Sequence, residues 1–257
     1  MRVAAYQFEV SGDIDSNLEI IKKAIKTAKE KKVDLLVFPE CALSGYPPRD
    51  IPSASDIDSV KVEGALKELQ ALSDESGLSI IVGTVLYVAP NYYNRAYFLT
   101  PENPMRWYGK RALYGWDEEN FAAGVEVGVF TIGDMKVGVR ICYEVRFPEY
   151  FRELYKDETD LNIVILYDVF DSEDKDRYQM IRSHLITRAV ENVTPILSVN
   201  AVKPFQTAPT LFADSSGVVS EECEAGVEDM LIHDYEKAEL DFGELGRKRY
   251  SDKLVEK

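Results

Sequence analysis

The sequence VGVRICYEVRFPE occupies residues 137–149 and places one cysteine, Cys142, at the end of an apolar run. The run Val137–Ile141 has the β-branched content of a buried strand, and Pro148 followed by Glu149 is typical of the first turn of a helix. In open α/β sheets, ligands bind at such strand-to-helix junctions. A thiol there can act as a nucleophile if neighbouring groups lower its pKa or accept its proton. Cys142 is therefore a candidate nucleophile.

Two further polar residues also follow apolar runs. Glu40 comes directly after Leu35–Pro39, and Lys110 follows Met105–Gly109. If these strands share a sheet with the strand before Cys142, a carboxylate, an ammonium group and a thiol meet at one edge. That arrangement predicts acyl transfer, with Glu40 as general base and Lys110 as oxyanion stabiliser. Taken singly, each residue also has an ordinary explanation: a helix cap, an exposed lysine, or a buried thiol that only fills space.

The composition limits the classes of partner. The 257 residues are 46% hydrophobic and 29% charged, which is typical of a folded protein. The net charge of −15 disfavours binding to nucleic acid or to an anionic membrane surface. No apolar run approaches the roughly 20 residues of a membrane-spanning helix, and the first residues lack the pattern of a signal peptide. We expect neither a nucleic acid nor a membrane partner.

The cysteines and histidines bear on location and cofactors. Three cysteines, an odd number, do not suggest a disulfide framework and favour a reducing, cytoplasmic location. The two histidines, His184 and His233, lie in separate segments without the spacing of metal ligands. We therefore expect no metal and no cofactor.

Apolar runs alternate with segments of helical periodicity along the chain. Residues 17–31, 60–72 and 177–193 each repeat apolar side chains on one stripe, which predicts three helices. This β-α-β alternation predicts an α/β protein with helices packed on a mixed sheet. Because there is no internal repeat and no long linker, we predict a single domain over residues 1–257, with a short C-terminal tail from about residue 235.

Two glycine-containing turns predict hairpins. Gly133-Asp134 lies between two strand-like runs, and Ala225-Gly226 lies between the runs 218–219 and 230–232. Short turns of this composition commonly join antiparallel neighbours.

Four blocks of the sequence, in this order, resemble the signature blocks of the nitrilase superfamily of carbon–nitrogen hydrolases. They are FPECALSGY at residues 38–46, Lys110, GVRICYEVRFPE at 138–149, and RAVENV at 188–193. The resemblance covers roughly residues 1–235. It implies a four-layer α-β-β-α sandwich and a Glu-Lys-Cys triad formed by Glu40, Lys110 and Cys142.

The resemblance also implies further members of the site. The family uses a second glutamate after the lysine, and WDEENF at residues 116–121 offers Glu118 and Glu119, of which the resemblance favours Glu118. The backbone N–H of Tyr143 is expected to help Lys110 to hold the oxyanion. In the implied mechanism Glu40 accepts the thiol proton as Cys142 attacks an amide carbonyl, and Glu40 later activates water to hydrolyse the thioester.

The residues around the nucleophile indicate the branch of the family. Tyr-Glu after Cys142 is similar to the amidase branches, including ω-amidases and deaminated-glutathione amidases, whereas true nitrilases usually carry Trp-Glu. LYDVF at residues 166–170 partly resembles a segment of ω-amidases, but Asp168 stands where that segment has proline, which counts against an ω-amidase substrate. Residues 40–50 resemble the glutaminase domain of glutamine-dependent NAD synthetase. On these grounds Tyr46, Tyr167 and Phe170 are expected to line the substrate pocket. Core packing explains Tyr167 and Phe170 equally well, and stiffening of the loop by the Tyr-Pro-Pro turn is enough to explain Tyr46.

The resemblance thus implies an amidohydrolase that converts a small non-peptide amide to acid and ammonia. Three other functions stay open: hydrolysis of N-carbamoyl compounds, acyl transfer to an amine instead of water, and a catalytically idle binding protein with the same fold. A homodimer or higher homo-oligomer is implied by the resemblance alone.

Overall fold

The computed structural model describes residues 1–237 and 239–255, so the last two residues of the predicted domain lie outside the described part. The helices are α1 (Ile14–Glu30), α2 (Ser59–Ser76), α3 (Trp116–Asn120), α4 (Pro148–Lys156), α5 (Lys175–Asn192) and α6 (Phe242–Val255). The strands are β1 (Arg2–Gln7), β2 (Leu35–Val37), β3 (Ser79–Val88), β4 (Asn91–Leu99), β5 (Arg106–Gly109), β6 (Val129–Ile132), β7 (Met135–Ile141), β8 (Leu161–Leu166), β9 (Val169–Phe170), β10 (Ile196–Asn200), β11 (Phe205–Gln206), β12 (Leu211–Ala213), β13 (Val219–Glu222) and β14 (Asp229–Asp234). No described helix has both the length and the hydropathy that crossing a bilayer requires.

Two six-stranded mixed sheets form the centre of the molecule. The first has the order β14-β1-β2-β3-β4-β5, and the second has the order β13-β12-β10-β8-β7-β6. In the first sheet β1, β2 and β3 are parallel, and in the second β7, β8 and β10 are parallel. Each sheet therefore has one edge where the carboxyl ends of its parallel strands meet.

Three apolar clusters separate four layers. The first lies between α1, α2 and the first sheet, the second between the two sheets, and the third between the second sheet and helices α4 and α5. Strand β8 contributes to two of these clusters. Ile163 and Ile165 pack between the sheets, whereas Val164 and Leu166 face the helices. A strand buried on both faces reads as a continuous apolar run because its side chains alternate between two cores. The predicted α-β-β-α sandwich is confirmed.

The three helices predicted from periodicity are α1, α2 and α5, with bounds within a few residues of those expected. The hairpin predicted at Gly133-Asp134 is also present, because β6 and β7 pair antiparallel around it. The single-domain organisation stays a prediction.

The second predicted hairpin is wrong. Strand β13 pairs with β12 in the second sheet, whereas β14 pairs with β1 in the first sheet. The turn at Ala225-Gly226 therefore carries the chain from one sheet to the other. A local turn signal cannot distinguish these outcomes, since the choice of partner depends on which edge strand is free.

Candidate active site

Cys142 follows the last residue of β7 and begins a short 3₁₀ turn, Cys142–Arg146, that leads into α4. Its φ of 46° is in the left-handed region, which is costly for a residue with a side chain by about 1–3 kcal/mol. The sharp turn reverses the chain at the carboxyl edge of the second sheet and presents the sulfur to a cavity. Pro148 is the first residue of α4, as the sequence predicted.

Glu40 reaches the same place from the first sheet. It follows β2 and is completely buried, and the next residue, Cys41, has a φ of 54°. Gly83 of β3 allows this approach, because a Cβ there would lie 2.4 Å from the carbonyl oxygen of Pro39 and 2.6 Å from the Cα atom of Glu40. The close packing of two backbones fixes the carboxylate at the edge of the sheet.

Three donors hold the two oxygens of Glu40. The side-chain amide of Asn94 donates to Oε1 at 2.7 Å, and the Lys110 ammonium donates to the same oxygen at 2.8 Å. The backbone N–H of Tyr167 donates to Oε2 at 3.0 Å. Burial is the main reason that the pKa of Glu40 is raised above its ordinary value of 4.5.

Lys110 lies between two carboxylates. Its Nζ atom is 2.8 Å from Glu40 Oε1 and 2.7 Å from Asp117 Oδ2, and its side chain is only 4% exposed. Burial by itself lowers the pKa of Lys110, but the negative charges of Glu40 and Asp117 outweigh it and raise that pKa well above 10.5. The amine is therefore a fixed positive charge in a site with little water.

The structure corrects the choice of second carboxylate. Glu118 is exposed, and the residue that contacts Lys110 is its neighbour Asp117, which is buried. Both lie on α3, where successive side chains point about 100° apart, so two adjacent residues cannot face the same lysine. The hydroxyl of Tyr46 also donates to Asp117, at 2.6 Å. Glu119, the other sequence candidate, is exposed as well.

A cavity of about 180 Å³ connects these groups. Cys142 and Lys110 lie on its lining, together with Asp117 and four residues named from the sequence: Tyr46, Tyr143, Tyr167 and Phe170. The structure thus brings together every predicted site residue except Glu118; Glu40 joins through its bond to Lys110. Contact of Tyr46, Tyr167 and Phe170 with substrate stays a prediction.

The thiol of Cys142 is electrostatically coupled to the other two members. Desolvation of the sulfur and then the charge of Glu40 raise its pKa well above 9.0, whereas Lys110 and the backbone N–H of Tyr167 lower it. The same N–H also donates to Glu40, so one peptide group of the second sheet lies beside both the carboxylate and the sulfur. Cys142 is therefore held as a neutral thiol next to a base.

One wall of the cavity is an ion pair that sequence reasoning missed. Arg177 donates from Nε and Nη2 to the two oxygens of Asp168, each at 2.7 Å, and the hydroxyl of Thr207 donates to the same carboxylate. The Arg177 guanidinium also lies 4.6 Å from the ring centre of Phe170. Asp168 stands where the related ω-amidase segment has proline, which was the one available signal for a different wall.

Comparison with known proteins shows the family of this chain. The family model for carbon–nitrogen hydrolases matches residues 2–241. A hydrolase of Mycobacterium tuberculosis is 28% identical over 166 residues, which cover 60% of this chain and 56% of that protein. The 2-oxoglutaramate amidase of Bacillus subtilis is 28% identical over 204 residues, which cover 77% of this chain and 75% of the amidase.

A solved structure shows the same fold. The crystal structure of an amidase from Nesterenkonia sp. superposes with a TM-score of 0.81 at 22% identity, over 99% of this chain and 96% of the other.

The chain spans little more than half the length of the Mycobacterium relative, so that protein supports only a shared family. Since the family model covers almost the whole chain, this protein belongs to the carbon–nitrogen hydrolase family, as its sequence blocks predicted.

Proposed function

We propose that this protein hydrolyses a small, non-peptide amide to a carboxylic acid and ammonia through a thioester on Cys142. One observation carries the proposal. A buried lysine, bonded at 2.8 Å and 2.7 Å to two buried carboxylates, lines the same small cavity as a cysteine in a strained turn. A nucleophile, a base and a cation that can hold the oxyanion together supply what acyl transfer through a thioester needs here.

Glu40 acts as the general base. Its raised pKa makes it a stronger base than an ordinary carboxylate, and the raised pKa of Cys142 keeps the thiol protonated until a substrate arrives. As the sulfur attacks the amide carbon, the S–H proton passes to Glu40 and the carbonyl oxygen takes up the negative charge. A base whose pKa is closer to 7 transfers protons more efficiently at neutral pH.

Lys110 and the backbone N–H of Tyr143 stabilise the oxyanion. The N–H belongs to the second residue of the 3₁₀ turn, and the first N–H groups of a helical turn have no acceptor within the turn. Lys110 stays protonated because its pKa is raised well above 10.5. A fixed donor of this kind is typically worth about 3–4 kcal/mol in the transition state.

The remaining steps use Glu40 for three more proton transfers. When the intermediate collapses, the C–N bond breaks, Glu40 returns its proton to the nitrogen and ammonia leaves, so that the acyl group stays on the sulfur. Glu40 then removes a proton from water, the resulting hydroxide adds to the thioester, and the C–S bond breaks to release the acid. The thiol recovers its proton from Glu40, and the enzyme is regenerated.

The cavity limits the acyl group. A volume of about 180 Å³ corresponds to about six molecules of liquid water at about 30 Å³ each, which favours a small acyl group beside Cys142. The rings of Tyr46 and Tyr167 stack with centres 4.9 Å apart on one wall, and the Asp168–Arg177 pair forms another. A short acyl chain of the ω-amidase or deaminated-glutathione amidase type fits these walls, and the 28% identity to a 2-oxoglutaramate amidase supports that choice.

A substrate panel tests the proposal. Purified protein is incubated with primary amides of two to six carbons, N-carbamoyl acids and nitriles, and ammonia release is measured with Cys142→Ala as control. We expect turnover of at least one small amide and no conversion of nitriles. Conversion of nitriles alone, of N-carbamoyl acids alone, or formation of an acyl-amine in preference to free acid would contradict the proposed reaction.

Location and assembly are also part of the proposal. We infer a cytoplasmic enzyme, since Cys41, Cys142 and Cys223 are all unpaired. We infer a homodimer or larger homo-oligomer from the family resemblance, which light scattering after size exclusion tests directly. A monomer under assay conditions would contradict it.

A further inference from the structure

Glu144 is a buried carboxylate that the proposed mechanism does not use. It is the third residue of the turn that begins at Cys142 and has no exposed surface. Its oxygens accept four hydrogen bonds in the described part of the structure, three from backbone N–H groups and one from the hydroxyl of Tyr108. Placing a carboxylate in such an environment is costly unless its oxygens accept hydrogen bonds, as both do here.

The two oxygens serve different sheets. Oε2 accepts from the N–H of Ile141 at 2.7 Å, in the manner of a glutamate that bonds back to the residue before a helical turn. Oε1 accepts from the N–H of Arg111 at 2.7 Å and from that of Ala112 at 3.3 Å. Ile141 ends β7 of the second sheet, whereas Arg111 lies just after β5 of the first.

These contacts fall beside the reactive residues. Ile141 directly precedes Cys142, and Arg111 directly follows Lys110. One rigid carboxylate group therefore joins the peptide unit next to the nucleophile to the peptide unit next to the amine. The connection consists only of the Glu144 carboxylate and backbone N–H groups. A shift of Glu144 therefore moves the two reactive residues relative to each other.

We propose that Glu144 is a positioning residue that sets the separation between the Cys142 sulfur and the Lys110 ammonium. The inference rests on the proposed function, because it assigns Glu144 a role in the same acyl transfer. Catalytic groups must be placed within fractions of an ångström, and a displacement of 1 Å costs on the order of 10²-fold in rate. The link needs two acceptors, and a glutamine offers only one.

A matched control lies close by. Glu153 also bridges the same two segments, since its Oε2 accepts from Arg111 at 2.7 Å and from Arg140 at 3.4 Å. That bridge runs through two long side chains, and the Glu153 carboxylate is 44% exposed. Glu153→Gln therefore removes a negative charge between β7 and the Lys110 segment without breaking the link between backbones.

The experiment compares Glu144→Gln with Glu153→Gln. We measure kcat and KM on the best amide, the thermal midpoint, and the rate at which iodoacetamide alkylates Cys142, followed by mass spectrometry. For Glu144→Gln we expect kcat to fall about 100-fold, with KM within about threefold, and alkylation to slow about tenfold or more. For Glu153→Gln we expect all three kinetic values within about twofold of the wild type.

Other outcomes decide against the proposal. A Glu144→Gln protein with a lower thermal midpoint but a kcat within about threefold of the wild type would show a purely structural role. If that variant does not fold, Glu144→Asp is used instead, because it keeps both oxygens but has a side chain shorter by one methylene group. We expect a similar loss of kcat for Glu144→Asp. A kcat equal to that of the wild type would overturn the proposal. Alkylation does not require hydrolysis, so it tests the positioning role even if the wild type cleaves no amide.

Discussion

The two edges of the second sheet each carry a cavity, and they differ in size and in the state of their charges. At the carboxyl ends of β7 and β8 the cavity measures about 180 Å³, and at the opposite ends, beneath α6, a second one measures about 760 Å³. In the small cavity the Lys110 side chain is 4% exposed. In the large one Lys237 is 77% exposed and Lys248 is 44% exposed.

Desolvated charge, and not volume, distinguishes the proposed active site from the larger cavity. Ion pairs on an exposed surface contribute about 0–1 kcal/mol, because water screens them. Lys110 and its two carboxylates lie where water is excluded, so their charges act at close range on any group that enters. The described lining of the large cavity also contains no cysteine. The following predictions test this contrast.

The largest effect is expected from removing the nucleophile. Cys142→Ala should lower kcat/KM on the best amide by at least about 10³-fold, because no thioester can form. Ammonia release measured at high enzyme concentration checks it, with a far-ultraviolet circular dichroism spectrum to show that the fold is intact. Retention of even a tenth of the wild-type activity would remove Cys142 from the mechanism.

The next largest effect is expected from the cation. Lys110→Met keeps the length of the side chain but removes its charge, so the oxyanion loses its main donor. We expect kcat to fall by about 10²–10³-fold. The loss also removes the positive charge that the two buried carboxylates share, so the variant should unfold at a lower temperature, which scanning calorimetry measures separately. Unchanged kcat in a folded variant would contradict the role.

The adjacent carboxylates of α3 offer a comparison within one helix. Asp117→Asn should lower kcat by about 10–100-fold, since it weakens the hold on Lys110 and lowers the pKa of that amine. Glu118→Gln should leave kcat within about twofold, because its side chain points to solvent. Steady-state kinetics of both proteins decide between them. The opposite ranking would restore the assignment that the sequence favoured.

The pH dependence reports the state of Glu40. Glu40 must be ionised to act as a base, and burial raises its pKa above 4.5. We therefore expect kcat/KM to increase with pH through a midpoint above 4.5. At pH values below the midpoint the increase should be about tenfold per pH unit. Lys110 stays charged to above 10.5, so its titration should cause no decline before that point. A pH–rate profile with a midpoint at or below 4.5 would contradict the assignment.

The smallest effect is expected at the large cavity. Lys248→Ala removes an exposed ammonium group from its lining and should leave kcat/KM within about twofold of the wild type. The same ammonia assay measures it. A decrease of more than about tenfold would show that the larger cavity takes part in the reaction.

Much of this arrangement could be predicted from particular residues. The apolar run before Cys142, the run before Glu40 and the glycine before Lys110 each marked a strand end. The three strands do not share a sheet as the sequence argument assumed: β2 and β5 belong to the first sheet and β7 to the second, so the site forms where the two sheets face each other. The choice between Asp117 and Glu118 could not be predicted, because it depends on the rotation of a five-residue helix. The predicted hairpin between β13 and β14 was also wrong, because β14 pairs with β1, which is far away in the sequence.

The sequence by itself determined the alternation of strands and helices and several strand ends, because apolar periodicity and turn residues act over short stretches of chain. The four layers and the family followed from the resemblance of four sequence blocks to a known family. Only the tertiary structure decided which carboxylate faces Lys110, that one peptide N–H lies beside both Glu40 and Cys142, and that Asp168 pairs with Arg177. These contacts join residues that are far apart in the chain or that differ only in orientation. Their energies depend on burial and on distances of a few ångström, and neither quantity can be predicted from short stretches of sequence.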